Sequence, residues 1–456
     1  MKRVHNDSRA ITRKRSHHDS RAITRTIGMF GRKKQYYKID QYLKTLSDDG
    51  YSLDIYNYTS MIKACGDNIV KAEHYFQEMK HDRLTPDIIT YTSMIKACGD
   101  NIVKAEHYFQ EIKNVRLTPN VITYTSMIKA CGDNIVKAEH YFQEIKHVRF
   151  TPNIITYNSM IRACGDNIVK AEHYFQEMKN VRLTPNIITY NSMIKSCGYN
   201  IVKVEHYFRE MKRVRLAPSI ITYSSMIKAC GDNIVKAEHY LQEMKNHRLA
   251  PDIITYSSMI KACGDNIVKA EHYFQEMKND RLTPNIITYS SMIKVCGDNI
   301  VKAEHYFKEM KNDRLTPNII TYSSMIKACG DNIVKAEHYF QEMKNDRLTP
   351  NIITYNSILD VYIDNNMFYN SSIIYGILLK DFIVSRKMDL HGQSYGFCIM
   401  LIEQLKQTYI GEIKLITGIG NHSDRDYSII NYKILEHLDK LKIKYENKEW
   451  IINITF

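Results

Sequence analysis

At 456 residues, 44% hydrophobic and 25% charged, the chain has an ordinary globular composition and enough length for several compact units. No apolar run approaches the ~20 residues of a membrane helix, and the charged first residues lack the apolar stretch of a secretory signal, so a soluble chain without membrane partners is expected. The net charge of +13 is uneven, because residues 1–38 hold twelve Lys or Arg against Asp7 and Asp19, which leaves +3 for the rest.

The basic, acid-poor segment over residues 1–34 fits a mitochondrial or plastid transit peptide, a nucleic-acid-binding arm, a nuclear-import patch or a solvated tail. Composition leaves these open, so the expected compartment is an organelle or otherwise the cytoplasm. Within it Asp7–Arg13 recurs as Asp19–Arg25. Residues 35–54 read as a partial repeat that keeps only a second-helix-like stretch.

From about Ile55 to Asn351 a single 33-residue period governs the chain, nine full units in all. A period of this size signals a solenoid of stacked supersecondary units. In the unit Ile88–Asn120, a first helix is predicted over about Thr90–Cys98, with Ile89, Met94, Ile95 and Cys98 on its apolar face. Gly99-Asp100-Asn101 breaks it and offers a cap for a second helix over about Ile102–Lys113. The apolar residues of that helix, Ile102, Val103, Ala105, Tyr108, Phe109 and Ile112, follow the spacing of an amphipathic helix. The segment Arg116–Pro119 that follows stops it, because proline cannot continue a helix. Such a small hairpin cannot bury its apolar face alone and must stack on its neighbours.

Nine of the ten cysteines, from Cys65 to Cys329, are one position repeated, which argues for a reduced compartment and not for a disulfide framework. Each is followed nine residues later by a histidine, as with Cys98 and His107. Stacked helices keep equivalent residues about 10 Å apart, whereas zinc needs ligands about 2.0–2.3 Å from one ion, so no metal and no cofactor is expected.

The units resemble the pentatricopeptide repeat (PPR) family. The resemblance rests on the first-helix run Ile154-Ile155-Thr156-Tyr157-Asn158-Ser159-Met160-Ile161, the second-helix run Lys170–Lys179 and the closing Pro185-Asn186. The common family unit has 35 residues, and these lack two at the inter-helix turn. The resemblance implies an all-α solenoid that binds single-stranded RNA, one base per repeat, through the fifth and last residue of each unit. An aliphatic at the second position, such as Ile89 or Ile122, would wedge between bases. The reading pairs are Thr59/Asp87, Thr92/Asn120, Thr125/Asn153, Asn158/Asn186, Asn191/Ser219, Ser224/Asp252, Ser257/Asn285, Ser290/Asn318 and Ser323/Asn351. In the family's code Thr or Ser with Asp favours G, Thr or Ser with Asn favours A, and Asn with Asn or Ser favours a pyrimidine. The implied target is 5′-GAAYYGAAA-3′. These short polar residues are also common helix-entry and loop residues for structural reasons alone. Lys96 and Lys129 offer a track for the RNA backbone, although the unit Ile88–Asn120 nets only +1.

Residues 352–387 read as a divergent capping repeat and linker, and residues 388–456 as a small α/β sandwich. A strand and turn are predicted at Met388–Gly392, helices at Ser394–Gln407 and Ile429–Leu441, and strands at Glu412–Thr417 and Trp450–Phe456. Asp389-Leu390-His391-Gly392 and Thr417-Gly418-Ile419-Gly420-Asn421-His422-Ser423 resemble the two motifs of the small MutS-related (Smr) domain. Asp389 and His391 share a face of a strand, so the carboxylate can orient the imidazole for proton transfer, with His422 a second acid or base. Gly392, Thr417, Gly418, Gly420 and Asn421 would cradle a phosphate. The resemblance implies RNA or DNA binding and, in some members, endonuclease activity.

The expected function is therefore sequence-selective RNA binding by a monomer, with an endoribonuclease at its C-terminal end and DNA open as a ligand of that domain. The rivals are a non-catalytic RNA-binding, processing or translation factor, and a protein-interaction solenoid.

Overall fold

The computed structural model describes residues 20–49, 51–379, 387–390, 393–408, 412–416, 429–448 and 451–455. It divides into two compact units, residues 1–218 and 219–456. Among the described residues no helix is long and apolar enough to cross a membrane.

In the first unit each repeat is a helical hairpin, as in Ile88–Ala97 followed by Ile102–Asn114. The first helix starts two residues before the position that periodicity suggests. The reason is a cap: Asp87 is extended, and its carboxylate accepts the backbone N–H of Thr90. Gly99 (φ +57°) turns the chain, and Asn101 caps the second helix by accepting from the Lys104 N–H. The second helix ends at Asn114, one residue past the expected Lys113. Arg116 takes a left-handed φ of +57°, its N–H reaches the Lys113 carbonyl, and Leu117 N–H reaches that of Ile112 at 3.0 Å. This is a Schellman end with arginine where glycine is usual, and it recurs at Arg83, Arg149, Arg182 and Arg215.

The interior repeats as faithfully as the sequence. Met94, Ile95, Ala105 and Ile112 have no exposed surface, and the cysteine row is buried with them. Phe109 meets Tyr124 and Tyr141 edge-on, both at 5.5 Å between centroids, so one ring joins two successive hairpins. Removing such a ring costs about 3–5 kcal/mol. On the second helices, Lys104 pairs with Glu73, Lys137 with Glu106 and Lys170 with Glu139, at 2.8–2.9 Å. These pairs are partly exposed and contribute at most about 1 kcal/mol each, fixing register more than stability.

Before the first full repeat, residues 20–32 and Tyr36–Asp48 form another helix pair. Thus the segment read as a basic N-terminal region contains, from residue 20, a packed helix with Ile23 and Ile27 buried.

The second unit holds four repeats, beginning with the helix Ile220–Ala229, and then the helices Ile352–Asp364 and Phe368–Leu379. Its C-terminal part has helices Tyr395–Thr408 and Ile429–Leu441 and strands β1 (Lys387–Asp389), β2 (Glu412–Ile416), β3 (Lys444–Lys448) and β4 (Ile451–Thr455). The sheet order is β1-β2-β4-β3, parallel at β1–β2 and antiparallel elsewhere. Ile413, Leu415, Ile452 and Ile454 are buried, as are Phe397, Leu401 and Ile402 of the helix Tyr395–Thr408. This part is tied to the last repeat helix. Gly396 N–H donates to Asp360 Oδ1 at 3.0 Å, and Tyr375 OH donates to Gln404 at 2.6 Å.

A Cβ at Gly31 would lie 2.4 Å from the Ala64 Cβ, so the N-terminal helix packs directly on the first full repeat. Gly31→Ala is expected to destabilise this end by about 1–3 kcal/mol, read as a lower thermal midpoint and faster proteolysis near residue 32. Unchanged values for both would show that the helix is not seated there.

Candidate nucleic-acid interface

The first helix of a repeat is almost wholly enclosed. In Ile88–Ala97 the exposed side chains are Ile89 and Lys96, seven residues apart and so on one face, about 10 Å along the axis. Between them lie Thr92 and Ser93, both buried. The same strip recurs in each repeat of the first unit. Ile155 is 53% exposed while the neighbouring fifth residue, Asn158, is 8% exposed. In the second unit Ile221, Ile254, Ile287 and Ile320 are likewise exposed. A row of bare isoleucines is unfavourable in water, and each is flanked by polar groups, the arrangement of an apolar wedge beside a hydrogen-bonding site.

The structure brings the predicted reading pairs together and shows how. Thr59 Oγ1 lies 2.8 Å from Thr90 Oγ1, and Thr90 Oγ1 donates to Asp87 Oδ1 at 2.9 Å. Fifth and last residues are thus linked through the third residue of the next repeat. The link recurs from Thr92 through Thr123 to Asn120 (2.8 and 3.2 Å) and from Thr125 through Thr156 to Asn153 (2.9 and 3.3 Å). In the fourth pair Thr189 donates to Asn158 Oδ1 at 2.7 Å, and Asn158 Nδ2 is 3.4 Å from Asn186 Oδ1. In the second unit Ser224, Ser257, Ser290 and Ser323 lie 2.8–2.9 Å from Thr255, Thr288, Thr321 and Thr354. Those threonines donate to Asp252, Asn285, Asn318 and Asn351 at 2.8–3.1 Å. Asn191 and Ser219 fall on either side of the unit boundary. The third-position threonines, fully buried from Thr90 to Thr354, make these links, and pattern reading passed over them. Their signal was present, since the same Thr stands in eight of the nine units.

Charge is sorted in the same way. The second-helix lysines are used in ion pairs, but Lys63, Lys96, Lys129, Arg162 and Lys195 make none among the described residues of the first unit. Partial desolvation and the like charges of Lys129 and Lys63 hold the Lys96 ammonium below its ordinary range. A cation in a row of cations gains from an anion brought beside it.

The cysteine row serves no such purpose. Each thiol donates to a carbonyl in its own helix, as Cys98 does to Met94 at 3.3 Å, and the paired histidines are exposed beside glutamates. Burial pushes the thiols up, Cys98 to about 11 and Cys65 to about 12.

At the C-terminal end Asp389 closes β1, its backbone opposite Ile416. His391, Gly392, Thr417, Gly418, Gly420, Asn421 and His422 lie outside the described residues.

Comparison with known proteins agrees with this architecture. The family model for the pentatricopeptide repeat domain matches residues 42–101, 103–134, 136–167, 202–233, 235–266, 268–299, 301–332 and 334–365, and that of the PPR repeat family matches 152–198. No curated protein matches significantly. Among solved structures, similarity is found to the pentatricopeptide repeat protein PPR10 in complex with an 18-nt psaJ RNA element (19% identity, TM-score 0.40, covering 92% of this chain and 72% of that one). PPR10 from maize is similar too (18%, 0.38, 84% and 66%). So is the PPR domain of Arabidopsis thaliana protein-only RNase P 1 in complex with tRNA (17%, 0.31, 40% and 95%).

Because free thiolate is the reactive form, the native protein is expected to resist iodoacetamide at Cys65–Cys329 at pH 8 and to react fully once unfolded. Modification of the folded chain at these positions would contradict the packing described.

Proposed function

The chain belongs to the pentatricopeptide repeat family, and from this premise we propose that its array binds single-stranded RNA in the order 5′-GAAYYGAAA-3′, with the N-terminal repeat at the 5′ end. The observation that carries the reading is the recurring strip of exposed Ile beside a linked reading pair.

Hydrogen-bond direction supports the code. Thr90 gives its one hydrogen to the Asp87 carboxylate, which has none to return. Its oxygen therefore accepts from Thr59, and Thr59 turns only a lone pair outward. Asp87 Oδ2 is a second acceptor. Two acceptors suit guanine, whose N1–H and N2–H₂ are adjacent donors. Where the last residue is Asn120, the cap occupies Oδ1 and the amide Nδ2 faces outward as a donor. Acceptor beside donor suits adenine, with its N6–H₂ and N1. At Asn158 and Asn186 the outward hydrogens are amide donors, which suit the carbonyl oxygens of a pyrimidine.

The lysine row would hold the phosphates while isoleucines separate the bases. In the C-terminal part, Asp389 and His391 would cut RNA beside the array, His391 as acid or base and Asp389 as its orienter, with His422 as a second proton-transfer group. Gly392, Thr417, Gly418, Gly420 and Asn421 would hold the scissile phosphate. The position of that part, tied to the last repeat helix through Gly396 and Asp360, supports action near the 3′ end of the bound site.

Labelled RNA containing 5′-GAACUGAAA-3′ is expected to bind more tightly than a scrambled control, and any cutting to vanish with His391→Ala. Equal binding of both RNAs would overturn the code. The triple variant Lys96→Gln, Lys129→Gln and Arg162→Gln is expected to lower the salt slope of binding by about 2, at ~0.7 per phosphate contact, and to leave base preference unchanged.

A further inference from the structure

The N-terminal helix pair carries the same constellation as the repeats, although the family match begins only at residue 42. We propose that Thr24 and Asp54 form a tenth base-reading site, immediately 5′ of the nine-base target, that selects a base carrying an imino N–H. The proposal rests on the RNA-binding reading above.

Asn57 occupies the third position of the first full repeat, where later repeats have threonine. Its Nδ2 lies 3.4 Å from Thr24 Oγ1 and 3.2 Å from both the Ser20 carbonyl and Ser20 Oγ, which places it beside Thr24 as Thr90 stands beside Thr59 one repeat on. Asp54 caps the following helix as Asp87 does: Asp54 Oδ1 accepts from Asn57 N–H at 2.9 Å, and Asn57 Oδ1 accepts from Asp54 N–H at 3.1 Å. Asn57 therefore bridges Thr24 and Asp54 as the threonines bridge the other pairs. The sequence separation of the bridge is 33 residues in place of 31, and Ser20 to Asp54 spans 35 residues, two more than the later units. On this count Thr24 is a fifth residue and Asp54 a last residue. Ile23 and Ile27 are buried, as Tyr91 and Ile95 are at the corresponding positions.

The bridging group is an amide in place of a hydroxyl, and that alters the chemistry presented. The Asn57 Nδ2 beside Thr24 can only donate, so Thr24 keeps its own hydrogen and offers a donor. Asp54 takes Ser20 Oγ–H at 2.7 Å on Oδ2 and retains acceptor capacity there. Both residues are partly exposed. A donor beside a carboxylate acceptor fits a base whose imino N–H lies next to a carbonyl. Guanine (N1–H, O6) and uracil (N3–H, O4 or O2) have that edge, whereas neutral adenine and cytosine lack the imino hydrogen.

The test uses the full chain and four 10-mers, 5′-NGAACUGAAA-3′ with N as each base. RNAs with G or U at N should bind about tenfold tighter than those with A or C, the scale of one charge-assisted base contact. Asp54→Asn should keep the helix cap, since Asn120 and Asn153 cap in the same way, and erase that preference while selection at the other positions persists. Equal binding of the four 10-mers, or a preference for A or C, with selection intact at the following nine bases, overturns the tenth site alone. Loss of selection at every position overturns the RNA code and the tenth site together.

Discussion

A buried hydroxyl in the first turn of a first helix, such as Thr90, must find hydrogen-bond partners away from water, and it finds both in the preceding repeat. One partner is the capping residue just before its own helix, and the other is the fifth residue of the preceding repeat. An unpaired buried hydroxyl costs roughly 1–3 kcal/mol, so the link holds successive first helices in one register. It also leaves the two linked residues together beside the exposed isoleucine, the fifth residue only 5–8% exposed where it is buried, from Thr59 to Ser323. In the proposed reading, stability and recognition draw on one set of bonds, and the hydrophobic core behind them keeps those bonds dry.

The near-neutral charge of the array conceals an ordered division. Second helices spend lysines on glutamates of neighbouring repeats, while in the first unit Lys63, Lys96, Lys129, Arg162 and Lys195 form no ion pair among the described residues. A count of charges per unit sees only their sum. The division appears once Lys96 is known to share a face with Ile89 and Lys104 is known to reach Glu73.

Much of this was legible in the sequence, because a strict period, Gly99, Asn101 and the apolar spacing of Tyr108, Phe109 and Ile112 all point to the same hairpin. The end of the second helix was legible to within one residue, but not the left-handed Arg116 that closes it, because nothing about arginine announces that conformation. The first helix of the N-terminal pair was hidden by its basic composition and by two extra residues that break the 33-residue frame, whereas its partner Tyr36–Asp48 lies within the second-helix-like stretch read at 35–54. Strand β3 was missed because Lys444–Lys448 is almost wholly polar and pairs on one side only, with β4. The reading pairs themselves came from family resemblance. Their hydrogen-bond directions could not, since these depend on which oxygen Thr90 approaches in the neighbouring unit.

The central claim is that one 33-residue unit corresponds to one base. It is tested most directly by deleting residues 88–120, which joins Asp87 to Val121 without disturbing the repeat frame, and measuring the RNA footprint and preferred sequence of the shortened protein. The account predicts a site one nucleotide shorter that reads GAYYGAAA, having lost a single adenine. An unchanged footprint, or a preference that shifts by any other number of bases, would contradict it.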